Sequence, residues 1–155
     1  MRVSRVSLQV CIGLAVLALG ALVYLLDRPS ESVYFIPNWW TLSYALPKFY
    51  DHVPTFAHVF AFSLFTAAIL DGSGRTALYV CWAWFLIEFL FEVGQIAEVA
   101  TAIAALTESW FGGASLARYF IVGTFDYLDL CSIALGSVVA FATIKQLNRS
   151  EINEN

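Results

Sequence analysis

Apolar positions fall along this chain in four long runs, separated by segments where proline, glycine and charged residues collect. The first run, residues 8–26, would rise about 28 Å as a helix, close to the hydrocarbon thickness of a bilayer. Arg2 and Arg5 precede it; it is longer than the apolar part of a signal peptide and no small-residue cleavage site follows, so it reads as an uncleaved anchor. A second run covers residues 55–70 and closes on Asp71-Gly72-Ser73-Gly74-Arg75, a tight connection. The third covers residues 77–98, with an Ala-rich stretch that carries helical character on toward Leu106, and the fourth covers residues 122–144.

Residues 27–54 differ in kind. Tyr34, Phe35, Trp39, Trp40, Tyr44, Phe49 and Tyr50 alternate there with polar residues and are punctuated by Pro37, Pro47 and Pro54. Amphipathic rings of this sort settle at the headgroup level, so Trp39 and Trp40 are assigned to an interfacial segment and Trp110-Phe111-Gly112-Gly113 to a second interfacial loop. The pattern predicts an all-α fold, one integral membrane domain over residues 1–155. Its form is a transmembrane four-helix bundle with aromatic interfacial loops on the extracytoplasmic side. With both termini inside, Arg2, Arg5, Arg75, Lys145 and Arg149 are cytoplasmic and Arg28, Lys48 and Arg118 are outside, a bias in the positive-inside direction.

Composition agrees with the pattern: 60% of residues are hydrophobic, 13% are charged, and the mean hydropathy is +0.74. The eight Lys and Arg are scattered and form no basic stripe, which excludes a nucleic-acid partner from the reading. Cys11, Cys81 and Cys131 sit singly in apolar runs and read as reduced packing residues; no metal or other cofactor is expected.

Ionisable groups inside a bilayer cost a few kcal/mol each on insertion scales, about enough to remove those without a use. Those that remain here are therefore informative. His58 lies one turn inside the second run; Glu88 stands about 16 Å along the third, near mid-membrane, with Glu92 and Gln95 above it on the same helix face. Asp126 and Asp129 lie in the fourth run, with Asp129 about 22 Å from its cytoplasmic end. Three helices thus bring His58, Glu92 and Asp129 to a similar depth in the outer half. As a catalytic set, Glu92 or Asp129 would be the general base and His58 its proton partner; Glu88, Gln95, Asp126, Trp39 and Trp40 would line the bound group. The bland alternative is a hydrogen-bonded network that only fixes helix packing. Ser132, Gly136 and Ala140 form a small-residue ladder along the fourth helix, which lets another backbone approach, either within the bundle or from a partner subunit.

The order and spacing of these residues resemble the VanZ-like family of small bacterial membrane proteins. Its pattern is a His with an aromatic four residues on, then E-x-x-Q, then an Asp followed by Gly seven residues later. Here these are His58 with Phe62, Glu92-Val93-Gly94-Gln95, and Asp129 with Gly136, across residues 54–142. The chain departs at Pro54-Thr55, where the family often has Asp-Lys, at Ile133, where it often has Asn, and at Arg118, which is farther from the Asp than the family's Arg. The resemblance implies an envelope protein of the bacterial cytoplasmic (inner) membrane, with some relatives linked to low-level resistance to glycopeptides such as teicoplanin, and no established reaction.

Two functions follow as expectations: a site open to the outer leaflet that binds or modifies a lipid or lipid-linked envelope precursor, and, from a different class, a non-catalytic accessory subunit docked on a larger membrane protein complex. Whether the chain is an enzyme stays open at this level.

Overall fold

The computed structural model describes residues 4–27, 46–72, 74–107 and 113–153. Six α-helices follow in order among these residues: α1 (Arg5–Asp27), α2 (Val53–Ile69) entered directly from a 3₁₀ turn (Lys48–His52), α3 (Arg75–Val93), α4 (Ala97–Thr107), α5 (Gly113–Val122) and α6 (Tyr127–Asn153). No strand occurs among the described residues. Among the described residues four segments are long and apolar enough to cross a membrane: α1, Lys48–Ile69, α3, and Tyr127–Ser150 within α6. The architecture is that of an all-helical, multi-pass membrane protein. The segment assigned to the interface from the sequence, with Trp39 and Trp40, and the Trp110–Gly112 stretch lie outside the described residues.

Three boundaries differ from the hydropathy pattern, each for a local reason. The second span begins before Pro54, because proline is tolerated in the first turn of a helix, where its missing N–H has no partner to lose. With the 3₁₀ turn it reaches 22 residues. The third span ends at Val93 instead of running on to residue 98. Past it, the Gln95 and Ile96 N–H groups bond back three residues, to the Glu92 and Val93 carbonyls at 3.0 and 3.1 Å, which tightens and closes the helix. Gly94 faces Phe120 at this break; a Cβ there would meet the ring at 2.5 Å, so only glycine lets α5 come so close. Glu98 consequently opens α4, which pairs with α5 as a hairpin, and is exposed. The fourth span starts at Tyr127, because Asp126 caps it by accepting the Leu128 N–H at 2.8 Å.

α2 is the centre of the bundle. α1, α3 and α6 all pack on it, and Val59, Ala61 and Leu64 have no exposed surface. Lipid tails are as apolar as leucine, so helices gain from association only where they pack closely. Small residues supply that closeness. A Cβ on Gly20 of α1 would lie 2.6 Å from the Ala57 methyl, and one on Gly136 of α6 would lie 2.9 Å from the Phe56 carbonyl oxygen. The Gly136–Ala140 part of the ladder therefore faces α2 of the same chain and is buried, with Ser132 half-buried.

Two side chains stitch the packing: the Trp84 indole donates to Thr66 Oγ1 at 2.9 Å, and the Ser137 hydroxyl to the Cys81 carbonyl at 3.0 Å. The three cysteines are free, Cys81 buried and Cys11 and Cys131 exposed. Leu14, Leu19, Leu22, Leu90, Leu135 and Val138 face outward. At one end of the bundle Arg5 pairs with Asp71 and donates to Asn148, whose amide in turn donates to the Gly72 carbonyl at 3.1 Å. The opposite end joins the C-termini of α1 and α3 to the N-termini of α2 and α6, and holds the polar residues.

Candidate functional site

Alternating helix directions have a direct consequence for the polar residues. His58 is early in α2, Glu88 and Glu92 are late in α3, and Asp129 is in the first turn of α6, so all four are brought to the same end. They line one cavity of about 1270 Å³, together with Gln95 and Asp126. α5 closes part of it through Arg118 and Tyr119, and α1 contributes an apolar wall that includes Leu17, Ala21 and Leu25.

The pairings within the cavity are not those that depth alone suggests. His58 pairs with Glu88, Nδ1 to Oε1 at 2.6 Å, and not with Glu92 or Asp129. Helix rotation is the reason: Glu88 is one turn below Glu92 on α3, level with His58 on α2. The Phe62 ring meets the imidazole edge-on at 4.4 Å between centroids, so the aromatic one turn on holds the ring against its carboxylate.

Asp129 has partners of its own. Its Oδ1 accepts from His52 Nδ1 at 3.0 Å and from the Thr55 hydroxyl at 3.1 Å. His52 escapes notice in the sequence because it lies in the segment assigned to the interface. The available signal is Pro54: read as a first-turn proline, it places His52 at the start of the same helix as His58.

Glu92 is 7% exposed and acts as an anchor. Its Oε1 accepts the Asp126 N–H at 2.7 Å and its Oε2 accepts from the Gln95 amide at 3.4 Å. Gln95 has left α3 for the turn beyond it, yet its side chain still reaches back, and Gly123 leaves the room: a Cβ at that position would collide with the Gln95 amide oxygen. Asp126, expected beside Asp129 on a helix face, is instead the cap that starts the helix.

In both imidazole–carboxylate pairs the carboxylate engages Nδ1. Such a contact holds the proton on Nδ1, so a neutral ring keeps Nε2 as an acceptor. Tyr119, on α5 outside the spans, reports the surrounding charge: its phenol is pushed up from the usual value by burial, and further by the negative charge of Glu88, Glu92 and Asp129. Among the described residues no three His, Cys, Asp or Glu side chains converge closely enough to hold a metal ion. No family model, curated protein or solved structure matches the chain.

Proposed function

We propose that the cavity holds the polar part of a lipid or lipid-linked envelope component in the outer half of the bacterial cytoplasmic membrane, both termini being cytoplasmic. One observation carries the reading: His52, His58, Glu88, Glu92 and Asp129, from three spans, and Asp126, which caps α6, line a single cavity at one end of a bundle of apolar helices. Among the described residues these groups surround an opening large enough for a sizeable ligand. Entry from the membrane is supported by the walls. α1 and α3 flank the cavity, are not among the closely packed helix pairs of the described residues, and bring Leu25 and Phe91 to it.

Of the residues that carry the VanZ-like resemblance, His58, Glu92, Gln95 and Asp129 line this cavity while Phe62 packs on His58 and Gly136 on α2, and membership of that family is part of the same proposal. If the bound group is transformed there, the chemistry is acid–base: His58 and His52, each oriented by its carboxylate, would move protons at Nε2. This assigns proton transfer to the imidazoles, in place of Glu92 or Asp129, because those two carboxylates are committed to holding the site together.

The test is to purify the protein in a mild detergent and record its native mass. A lipid or precursor retained at one per chain, and lost on Glu92→Gln with the fold intact, is the expected result. An empty wild-type protein that takes up no added membrane lipid would refute the proposal. A co-purifying second protein in place of lipid would favour the accessory-subunit reading, for which the Gly136–Ala140 ladder is no docking face because α2 occupies it.

A further inference from the structure

The third span ends at Val93, but the chain beyond it stays as apolar as a span. α4 starts four positions on, at Ala97, and its only charged residue is Glu98, in the first turn. α5 carries a single charge, Arg118, and ends at Val122, five positions before α6 begins. Both ends of the α4–α5 pair are therefore tied to the ends of membrane spans, α3 and α6. Their 11 and 10 residues rise about 16 and 15 Å, about half the hydrocarbon thickness of a bilayer. Neither helix can cross, and the pair returns to the side it left.

This pair stands apart from the bundle. α4 and α5 pack closely on each other, burying Ala100, Thr107, Gly113 and Phe120, and neither is among the closely packed pairs with a span. The base is where they are held to α3: Tyr119 and Phe120 meet Phe91 at 5.8 and 5.6 Å between ring centroids, and Phe120 lies on Gly94. An apolar surface is left uncovered. Leu106 and Ile121 are 72% and 59% exposed, as open as Leu90 and Leu135 of the spans at 64% and 57%. Ala102, Ala105 and Leu116 are exposed as well.

Polar groups on the pair are satisfied as they are inside a span. Thr101 donates to the Ala97 carbonyl and Thr107 to the Ile103 carbonyl, each at 2.8 Å, the same bond that Thr143 makes to Val139 within α6. At the turn into α4 the N–H groups of Gly94, Gln95 and Ile96 all bond back to carbonyls of α3. Hydrocarbon requires such internal partners, whereas water would supply them itself. Lipid is the cover that fits these features together, because the bilayer is already in place at both ends of the pair and its acyl chains match an aliphatic surface of half-span length.

We infer that α4 and α5 form a re-entrant hairpin embedded in the leaflet at the cavity's end of the bundle, with phospholipid acyl chains covering Ala102, Ala105, Leu106, Leu116 and Ile121. The arrangement gives α5 two roles: Ser115, Arg118 and Tyr119 face the cavity, while Leu116 and Ile121 face lipid. It holds whatever occupies the cavity.

The experiment places spin labels one at a time on the full chain, through Ala102→Cys, Leu106→Cys and Ile121→Cys with the three native cysteines replaced, in phosphatidylcholine vesicles. Leu90→Cys is the lipid reference and Asp71→Cys, at the exposed far end, the aqueous one. Collision with dissolved oxygen and with a water-soluble nickel chelate is read by electron paramagnetic resonance. All three hairpin labels should resemble Leu90→Cys, with nickel collision at least fivefold below that of Asp71→Cys. Nickel collision equal to that of Asp71→Cys puts the hairpin in water and overturns the inference. Low collision with both reagents means that protein, a second copy or another chain, covers the surface, and overturns it too. The unsubstituted chain gives an independent reading in vesicles of phosphatidylcholine with a photoactivatable diazirine on its acyl chain. Lipid adducts should map to both 97–107 and 113–122; adducts on α3 with none on either hairpin helix would refute the embedding.

Discussion

Replacing Thr55 with valine removes one hydroxyl and keeps the branched shape of the side chain, so it isolates a single hydrogen bond at the edge of the cavity. That bond, 3.1 Å from the Thr55 hydroxyl to Asp129 Oδ1, ties the first turn of α2 to the first turn of α6. Hydrogen bonds between membrane helices average about 0.6 kcal/mol and reach about 1.7, whereas those to a charged acceptor in water-soluble proteins are worth about 1.5–3. Asp129 is four-fifths buried and has a second donor in His52, so the loss of Thr55 does not orphan it. We therefore expect Thr55→Val to cost about 1 kcal/mol, between the membrane average and the lower end of the charged-acceptor range.

Asp129→Asn loses more, because it also gives up the His52 pair and a favourable charge at the N-terminus of α6, worth about 0.3–1 kcal/mol. A double-mutant cycle separates these parts. The coupling between the two substitutions should be about 1 kcal/mol, read from unfolding in mixed micelles titrated with a denaturing detergent, and Thr55→Ser should restore it. Additivity within about 0.3–0.5 kcal/mol, the level seen for residues that do not touch, would refute the bond as a determinant of this end of the bundle. The result also bears on function, since a lipid-binding loss in Asp129→Asn reports on ligand chemistry only after its stability cost is known.

Other substitutions test the remaining parts of the structure. Gly20→Ala puts a methyl 2.6 Å from the Ala57 methyl and should destabilise the α1–α2 contact by about 1–3 kcal/mol, read as a lower unfolding temperature in detergent; an unchanged temperature would contradict the packing. Gly123→Ala should displace the Gln95 amide from Glu92 and weaken lipid retention several-fold with a smaller effect on stability, as seen by comparing native mass spectra with thermal unfolding. Asp71→Asn, at the far end, breaks an ion pair whose carboxylate is 82% exposed, so stability should change by no more than about 1 kcal/mol and lipid retention not at all. Trp84→Phe removes the donor to Thr66 and should cost about 0.6 kcal/mol, the usual worth of one interhelical bond in a membrane.

Hydropathy alone was sufficient to find the four spans, because a bilayer demands about twenty apolar residues per crossing and the rise of a helix is constant. The same constancy made depth legible: alternating spans with a fixed rise put His58, Glu92 and Asp129 at one end before any helix was packed. Which of them touch was not legible. That depends on the rotation of each helix about its axis and on which helices are neighbours, and small residues such as Gly20 and Gly136 set both through contacts remote in sequence. Hence Glu88 pairs with His58, and His52 joins Asp129 from a segment whose composition pointed to the interface.

The end of α3 at Gly94 belongs to the same class. An Ala-rich continuation has every local reason to stay helical, and it is the packing of Phe120 against Gly94, with Glu92 bound to the Asp126 N–H, that accompanies the break. Local physics determined the elements and their depth, because both follow from one helix in one solvent. Tertiary structure decided the partners, because a side chain's neighbours on other helices are fixed only when all the helices are packed together.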